Sequence, residues 1–434
     1  MSYSFTEILN KVQYYISLNY AGALTDTSKL GQLNSYIEKA LRDNNYSVEG
    51  LTQKELRDRI YSEMAEYSVI TKYLGRDDIE EININSWDDI AITYTDGSIE
   101  KTNETLLSPQ HAEDIVKRLL QHSGMVIDNA VPIAQGHLPG NTRITASKNP
   151  IVDKEIGISA SIRLLHPANV TLEQIVKTKS ATRKMVDFLS MALRYGISFM
   201  IAGATSSGKT TLLNALLSTI PDNKRIFTLE SGSREFSLIK KENGKTVNNV
   251  VHTLSRPSEK SEYNITQEDL VVMSLRFNPD IVAVGEIRDV EAYSAVEAAL
   301  TGHTVVSTIH ATAASSAHLR LALLCQKRFP IDFSASLMQA GQAFPLVIYE
   351  RKLEDNSRRI MDISECIINS EGKCEYRSLF RYLIKKNEIR NGQYIIYGDF
   401  EQPNIMSENL KNKLIQSGIP MDTLQKFLEK GADY

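Results

Sequence analysis

The sequence predicts an α/β protein built on a parallel, doubly wound sheet, preceded by a smaller mixed α+β domain and a helical N-terminal extension. Three observations carry this. Short apolar runs recur between helical segments from about residue 180 onward, the pattern of parallel strands joined by crossover helices. Residues 203–210 read Gly-Ala-Thr-Ser-Ser-Gly-Lys-Thr, an uninterrupted G-x-x-x-x-G-K-[ST] phosphate loop set between an apolar run and a helix start. Upstream, Ile79 to Asn85 alternates with the period of a half-buried strand, and Ile90 to Tyr94 leads into an Asp96-Gly97 hairpin turn.

Taken in order, residues 1–72 repeat apolar side chains at three and four, as in Leu51 to Tyr61, and predict helices. Residues 73–170 form the α+β domain. A helix is expected over 109–122, where Ile115, Val116, Leu119 and Leu120 share a face, and Ile156 to Leu165 alternates again before Pro167. One helix from about 171 to 194 is expected to lead into the nucleotide domain, assigned to 171–350. Its strands are 197–202, Arg225 to Leu229, Ile281 to Val284 and Thr304 to Thr308. Asn243-Gly244 marks a hairpin excursion, and 351–434 is expected as a strand-hairpin and helical appendage, with turns at Glu371-Gly372 and Asn391-Gly392.

Composition narrows the class. The chain has 434 residues, too many for one ordinary core, with the apolar and charged content of a globular protein. No apolar run approaches the roughly 20 residues needed to span a bilayer. The start, Met1 to Glu7, has no basic-then-apolar signal, so a cytoplasmic chain is expected. Cys325, Cys366 and Cys374 lack metal-ligand spacing and are expected as free thiols. A net charge of −4 does not indicate nucleic-acid binding.

The phosphate loop assigns ATP and Mg²⁺ as ligands. Gly203 and Gly208 permit the backbone torsions that turn N–H groups inward, while Ala204, Thr205, Ser206, Ser207 and Thr211 complete the cradle. Lys209 sets an ammonium against the β and γ oxygens, and Thr210 offers a hydroxyl to Mg²⁺. Hydrolysis needs more. Glu286 follows the apolar strand Ile281 to Val284, so it projects where ligands sit in parallel sheets, able to hold Mg²⁺ or orient the attacking water. Glu230 closes the preceding strand and Glu235 lies five residues on. The general base is open among these three acids. His303 and His310 bracket the last strand, and a donor at its carboxyl end can sense a γ-phosphate.

The series Gly203 to Thr210, Arg225 to Glu230, Asn278 to Asp289 and Gly302 to Ala311 resembles the secretion ATPase superfamily of type II and type IV secretion, conjugation and pilus assembly. The upstream stretches Asp78 to Asn85, Leu138 to Arg143 and Ser161 to Arg163 are similar to its N-terminal domain, and the nearest subgroups are the conjugative and Flp-pilus-type ATPases. The resemblance implies a RecA-like P-loop core that hydrolyses ATP through domain closure in a ring, a homo-hexamer held by protein partners at the inner face of the bacterial membrane. It places Arg143 and Arg163 where that domain reaches the nucleotide, Glu230 in the acidic box, Arg256 at the arginine after it, Glu286 in the Walker B position and His310 in the histidine box. Three departures stand out: Ser231 where the acidic box has aspartate, Arg234 where a second glutamate is usual, and Thr312 where asparagine follows His-Ala. Two other readings stay open, an ATP-binding assembly module with little turnover and a DNA-translocating motor.

Overall fold

The computed structural model describes residues 3–20, 30–121, 123–138, 141–164, 170–232, 234–256, 261–390 and 392–430. The expected features at Pro139, Gly140, Leu165, Pro167 and Asn391 lie outside them. The chain divides into two compact units, Met1–His166 and Pro167–Tyr434.

In the first unit, helices span Phe5–Asn19, Leu30–Asp43 and Gln53–Ala65. Ser4 with Glu7 and Thr52 with Glu55 form reciprocal caps that satisfy the first free N–H groups of two of them. Their apolar faces meet in one cluster, with Ile8, Val12, Ile16, Leu33, Ile37, Leu56 and Ile60 all removed from solvent. Six strands follow: β1 (Ile79–Ser86), β2 (Asp89–Tyr94), β3 (Ile99–Lys101), β4 (Ile133–Leu138), β5 (Thr142–Lys148) and β6 (Ile158–Leu164). They make an antiparallel sheet in the order β3-β2-β1-β6-β5-β4. One face is covered by the helix Pro109–Gln121, which buries Ile115, Val116, Leu119 and Leu120 against Ile82, Ile84, Ile144 and Ile162. Burying each such side chain is worth about 1.5–3 kcal/mol. The alternation in β5 and β6 leaves Arg143 and Arg163 on the other face.

The second unit carries β7 (Phe199–Ala202), β8 (Arg225–Glu230), a two-stranded excursion β9 (Lys241–Glu242) and β10 (Lys245–Thr246), β11 (Asn249–Leu254), β12 (Ile281–Val284), β13 (Thr304–Ile309), β14 (Leu346–Lys352), β15 (Arg358–Ile368), β16 (Cys374–Arg390) and β17 (Gln393–Glu401). Nine of them form one sheet, in the order β11-β8-β12-β13-β7-β14-β15-β16-β17. The first six run parallel, and the last three add antiparallel strands at the β14 side. Both faces of the parallel part are buried. Phe199 and Ile201 enter one core with the helices Arg183–Arg194 and Lys209–Leu217, whereas Met200 and Ala202 enter a second with Glu291–Leu300 and Ala314–Arg328. This is the doubly wound arrangement the short apolar runs predict.

Two differences from expectation have local causes. The stretch 171–194 is two helices, Leu172–Lys177 and Arg183–Arg194, because Lys179 is left-handed at φ 58° and Thr182 starts a new helix by accepting from the N–H of Met185. The expected boundary at 350 falls inside β14, and the strands beyond it continue the same sheet.

Candidate functional site

Parallel strands end at one edge of their sheet, and that edge collects the chemistry. The phosphate loop leaves β7 at Ala202 and enters the helix Lys209–Leu217 through Gly208, whose φ of 111° belongs to the left-handed region. A side chain there is excluded twice over, because its Cβ would stand 2.6 Å from Glu350 Oε1. Ser206 is also left-handed, at φ 60°. Lys209 is almost wholly buried, and its Nζ donates to the carbonyl of Ala204 at 2.7 Å, folding the ammonium over the loop. Ser207 is buried, and its Oγ has no hydrogen-bond partner among the described residues. Thr210 and Thr211 are half-buried in the first helical turn, where free N–H groups favour an anion.

Glu286 lies two residues beyond β12, and its backbone is held from both sides. Gly285 donates to Leu229 O at 2.8 Å, Thr308 Oγ1 donates to Gly285 O at 2.7 Å, and Ile287 donates to Thr308 O at 2.9 Å. His310 follows β13 directly, so the neighbouring strands deliver both side chains to one place. Glu286 Oε1 and His310 Nε2 stand 3.1 Å apart, each side chain about a third exposed (29% and 35%). At this distance the carboxylate and the imidazole are in direct hydrogen-bond contact, a pairing that orients both groups at the strand ends. His303 sits at the opposite end of β13, away from this edge.

Glu230 has a different environment. It is 2% exposed; Oε1 accepts from the backbone N–H groups of Glu235 and Phe236, and Oε2 stands 3.7 Å from His252 Nδ1. Bonds from backbone N–H to a carboxylate are worth roughly 1.5–3 kcal/mol each, so Glu230 orders the loop after β8. Arg288 donates to Ser231, tying that loop to the strand bearing Glu286. Arg256 is exposed just beyond β11, in an isolated bridge with Ile265. In the first unit, Arg143 and Arg163 are direct cross-strand partners, with Arg163 also 3.3 Å from Glu80. Like charges placed opposite one another cost stability, and the Glu80 carboxylate offsets part of that cost.

Sequence reasoning missed Glu350 and Arg358. Glu350 is 4% exposed on β14, beside β7, and burial pushes its carboxyl up to about 8, opposed by the Arg358 and Lys209 charges. The signal was present: an acid directly following the apolar run Leu346 to Tyr349.

A model of the type II/IV secretion system protein family matches residues 63–377. The chain belongs to that family. An uncharacterised protein of Methanocaldococcus jannaschii is 31% identical over 387 residues, covering 83% of this chain and 67% of the relative. The type IV secretion system protein PtlH of Bordetella pertussis is 33% identical over 184 residues, covering 41% of this chain and 52% of PtlH. The chain thus spans about half of that relative. The Legionella pneumophila ATPase DotB, a solved structure, shares 19% identity with a TM-score of 0.45, covering 80% of this chain and 82% of DotB. For a member of the type II/IV secretion family, the motifs quoted from the sequence stand at the ends of adjacent strands. No helix among the described residues is long and apolar enough to cross a membrane.

Proposed function

We propose that this secretion-family chain hydrolyses ATP to drive a type IV secretion, conjugation or pilus assembly machine. The observation that carries it is the Glu286–His310 pair at the same sheet edge as the Lys209–Thr210 loop. The strand order supports a RecA-like core, since β13 lies between the loop-bearing β7 and the acid-bearing β12.

The residues fit a nucleotide. The loop's N–H groups and helix start cradle phosphates. Lys209 exchanges the Ala204 carbonyl for β and γ oxygens, and Ser207 Oγ has hydrogen-bonding capacity to spare. Thr210 and Glu286 would hold Mg²⁺, which neutralises phosphate charge; two protein ligands suit an ion that keeps its waters. Glu286 is the proposed group that orients the attacking water, with His310 beside it to meet the γ-phosphate. Glu230 serves this centre through the loop it orders. Arg143, Arg163 and Arg256 are assigned to phosphate charge and to coupling hydrolysis to movement, in a homo-hexameric ring docked on membrane-complex proteins. ADP would lack the γ-phosphate that His310 is proposed to meet, and the proposed domain closure depends on that group.

The test is phosphate release by the purified full chain with Mg²⁺ and ATP. Lys209→Ala should lower the rate about a hundredfold or more, the range for removing one charge-stabilising donor. An equal rate in this variant, or no hydrolysis by wild type, overturns the proposal.

A further inference from the structure

Both glycines that define the phosphate loop rest on one residue outside it. A Cβ at Gly203 would collide with the backbone carbonyl of Glu350, and a Cβ at Gly208 would stand 2.6 Å from the same residue's Oε1. Glu350 thus touches the loop at its entry with main chain and at its exit with side chain. Its position is enforced. β14 pairs in parallel with β7, Tyr349 opposite Ala202, so Glu350 follows the strand into the level of the loop. On its other side, the register with β15 shifts between Tyr349, opposite Asp362, and Glu350, opposite Ile360. Such irregularities re-aim a side chain and gather near active sites.

The carboxyl is buried, and its Oε2 has no hydrogen-bond partner among the described residues. An unsatisfied buried acid is expensive to keep, so it needs a reason. Arg358, at the start of β15, stands beside it. The Arg358 Nε donates to Ser206 O at 3.2 Å, and its Cδ is 3.2 Å from the place a Gly208 Cβ would take. Ser206 is the non-glycine residue of the loop in the left-handed region, and Arg358 holds its carbonyl there.

We infer that Glu350 and Arg358 are positioning residues that form the floor of the phosphate loop, setting its span and the reach of Lys209, and so controlling nucleotide affinity more than the rate of the chemical step. The inference rests on the ATPase reading above and adds two residues to it. Glu350 fixes the distance between the two glycines; Arg358 pins the strained carbonyl between them. Lys209 then needs only to exchange its Ala204 contact for phosphate, with no rebuilding of the loop.

Equilibrium binding of Mg²⁺-ADP to the full chain tests this independently of turnover, with steady-state KM and kcat for ATP measured alongside. Glu350→Ala should weaken ADP binding by roughly ten- to a hundredfold, the range expected for an emptied buried polar contact, and raise KM in step while kcat changes far less. Glu350→Gln keeps the shape and should bind within about threefold of wild type. Arg358→Lys retains one donor for Ser206 O and should keep more affinity than Arg358→Ala. Wild-type affinity in folded Glu350→Ala overturns the inference, as does equal affinity in the two Arg358 variants, which decide the matter if Glu350→Ala does not fold. Wild type that binds ADP but hydrolyses no ATP removes the ATPase reading and leaves the floor to be judged on binding alone.

Discussion

Glu286 and Glu350 show how the same functional group is put to two uses by its surroundings. Glu286 is partly exposed and its Oε1 stands 3.1 Å from His310 Nε2. Glu286→Gln keeps the shape and loses the charge; single-turnover hydrolysis should drop roughly a hundredfold while Mg²⁺-ATP still binds. Equal, negligible rates in both proteins would favour a module that binds ATP and hardly turns it over. Glu350, by contrast, is held protonated by burial, its carboxyl raised from the ordinary 4.5 to about 8. The folded state therefore binds a proton that the unfolded chain has released between those two values, and stability falls as pH rises through that window. Replacing the acid with glutamine removes the dependence. Glu350→Gln should melt higher than wild type at pH 8 and converge with it toward pH 5, by an amount on the order of a few kcal/mol at the upper end. Parallel melting curves across this range would refute the buried acid.

Strands and turns explain why some of this could be read from the chain and some could not. β7, β8, β12 and β13 are short apolar runs bounded by motif residues, and each is found within two residues of its expected limits. The meeting of Glu286 with His310 follows from that, since parallel neighbours must end together. The apolar run Leu346 to Tyr349 marks a strand ending at Glu350, but the pairing of β14 beside β7 that brings this acid to the phosphate loop is long-range and is not encoded locally. The two backbone N–H groups that engage Glu230 belong to a loop without periodicity, and the break at Lys179 needs a left-handed residue that is not glycine. The β5–β6 ladder offers its own test. Arg143 stands opposite Arg163 on a half-exposed face, with Glu80 3.3 Å from Arg163, and both arginines are proposed to meet phosphate. Arg163→Gln should leave the free energy of unfolding within about 1 kcal/mol of wild type, as exposed charge changes do, yet slow hydrolysis at least several-fold. A variant that melts early and hydrolyses normally would make Arg163 a structural residue.

Each unit holds two apolar clusters; the first has one among its N-terminal helices and one against its sheet, and the second lays its two on opposite faces of one sheet. Assembly is a separate question from folding, answered by particle mass. Native mass measurement with Mg²⁺-ATP should return six times the chain mass, and a monomer under those conditions would remove the ring from the proposal.

Beyond the nucleotide edge, β14 leads by hydrogen-bonded ladders through β15 and β16 to β17. Strand spacing puts that outermost strand roughly 15 Å from Glu350. Last in the strand order, Gln393–Glu401 has no further strand beside it among the described residues, so its outer row of backbone N–H and C=O groups is an open edge.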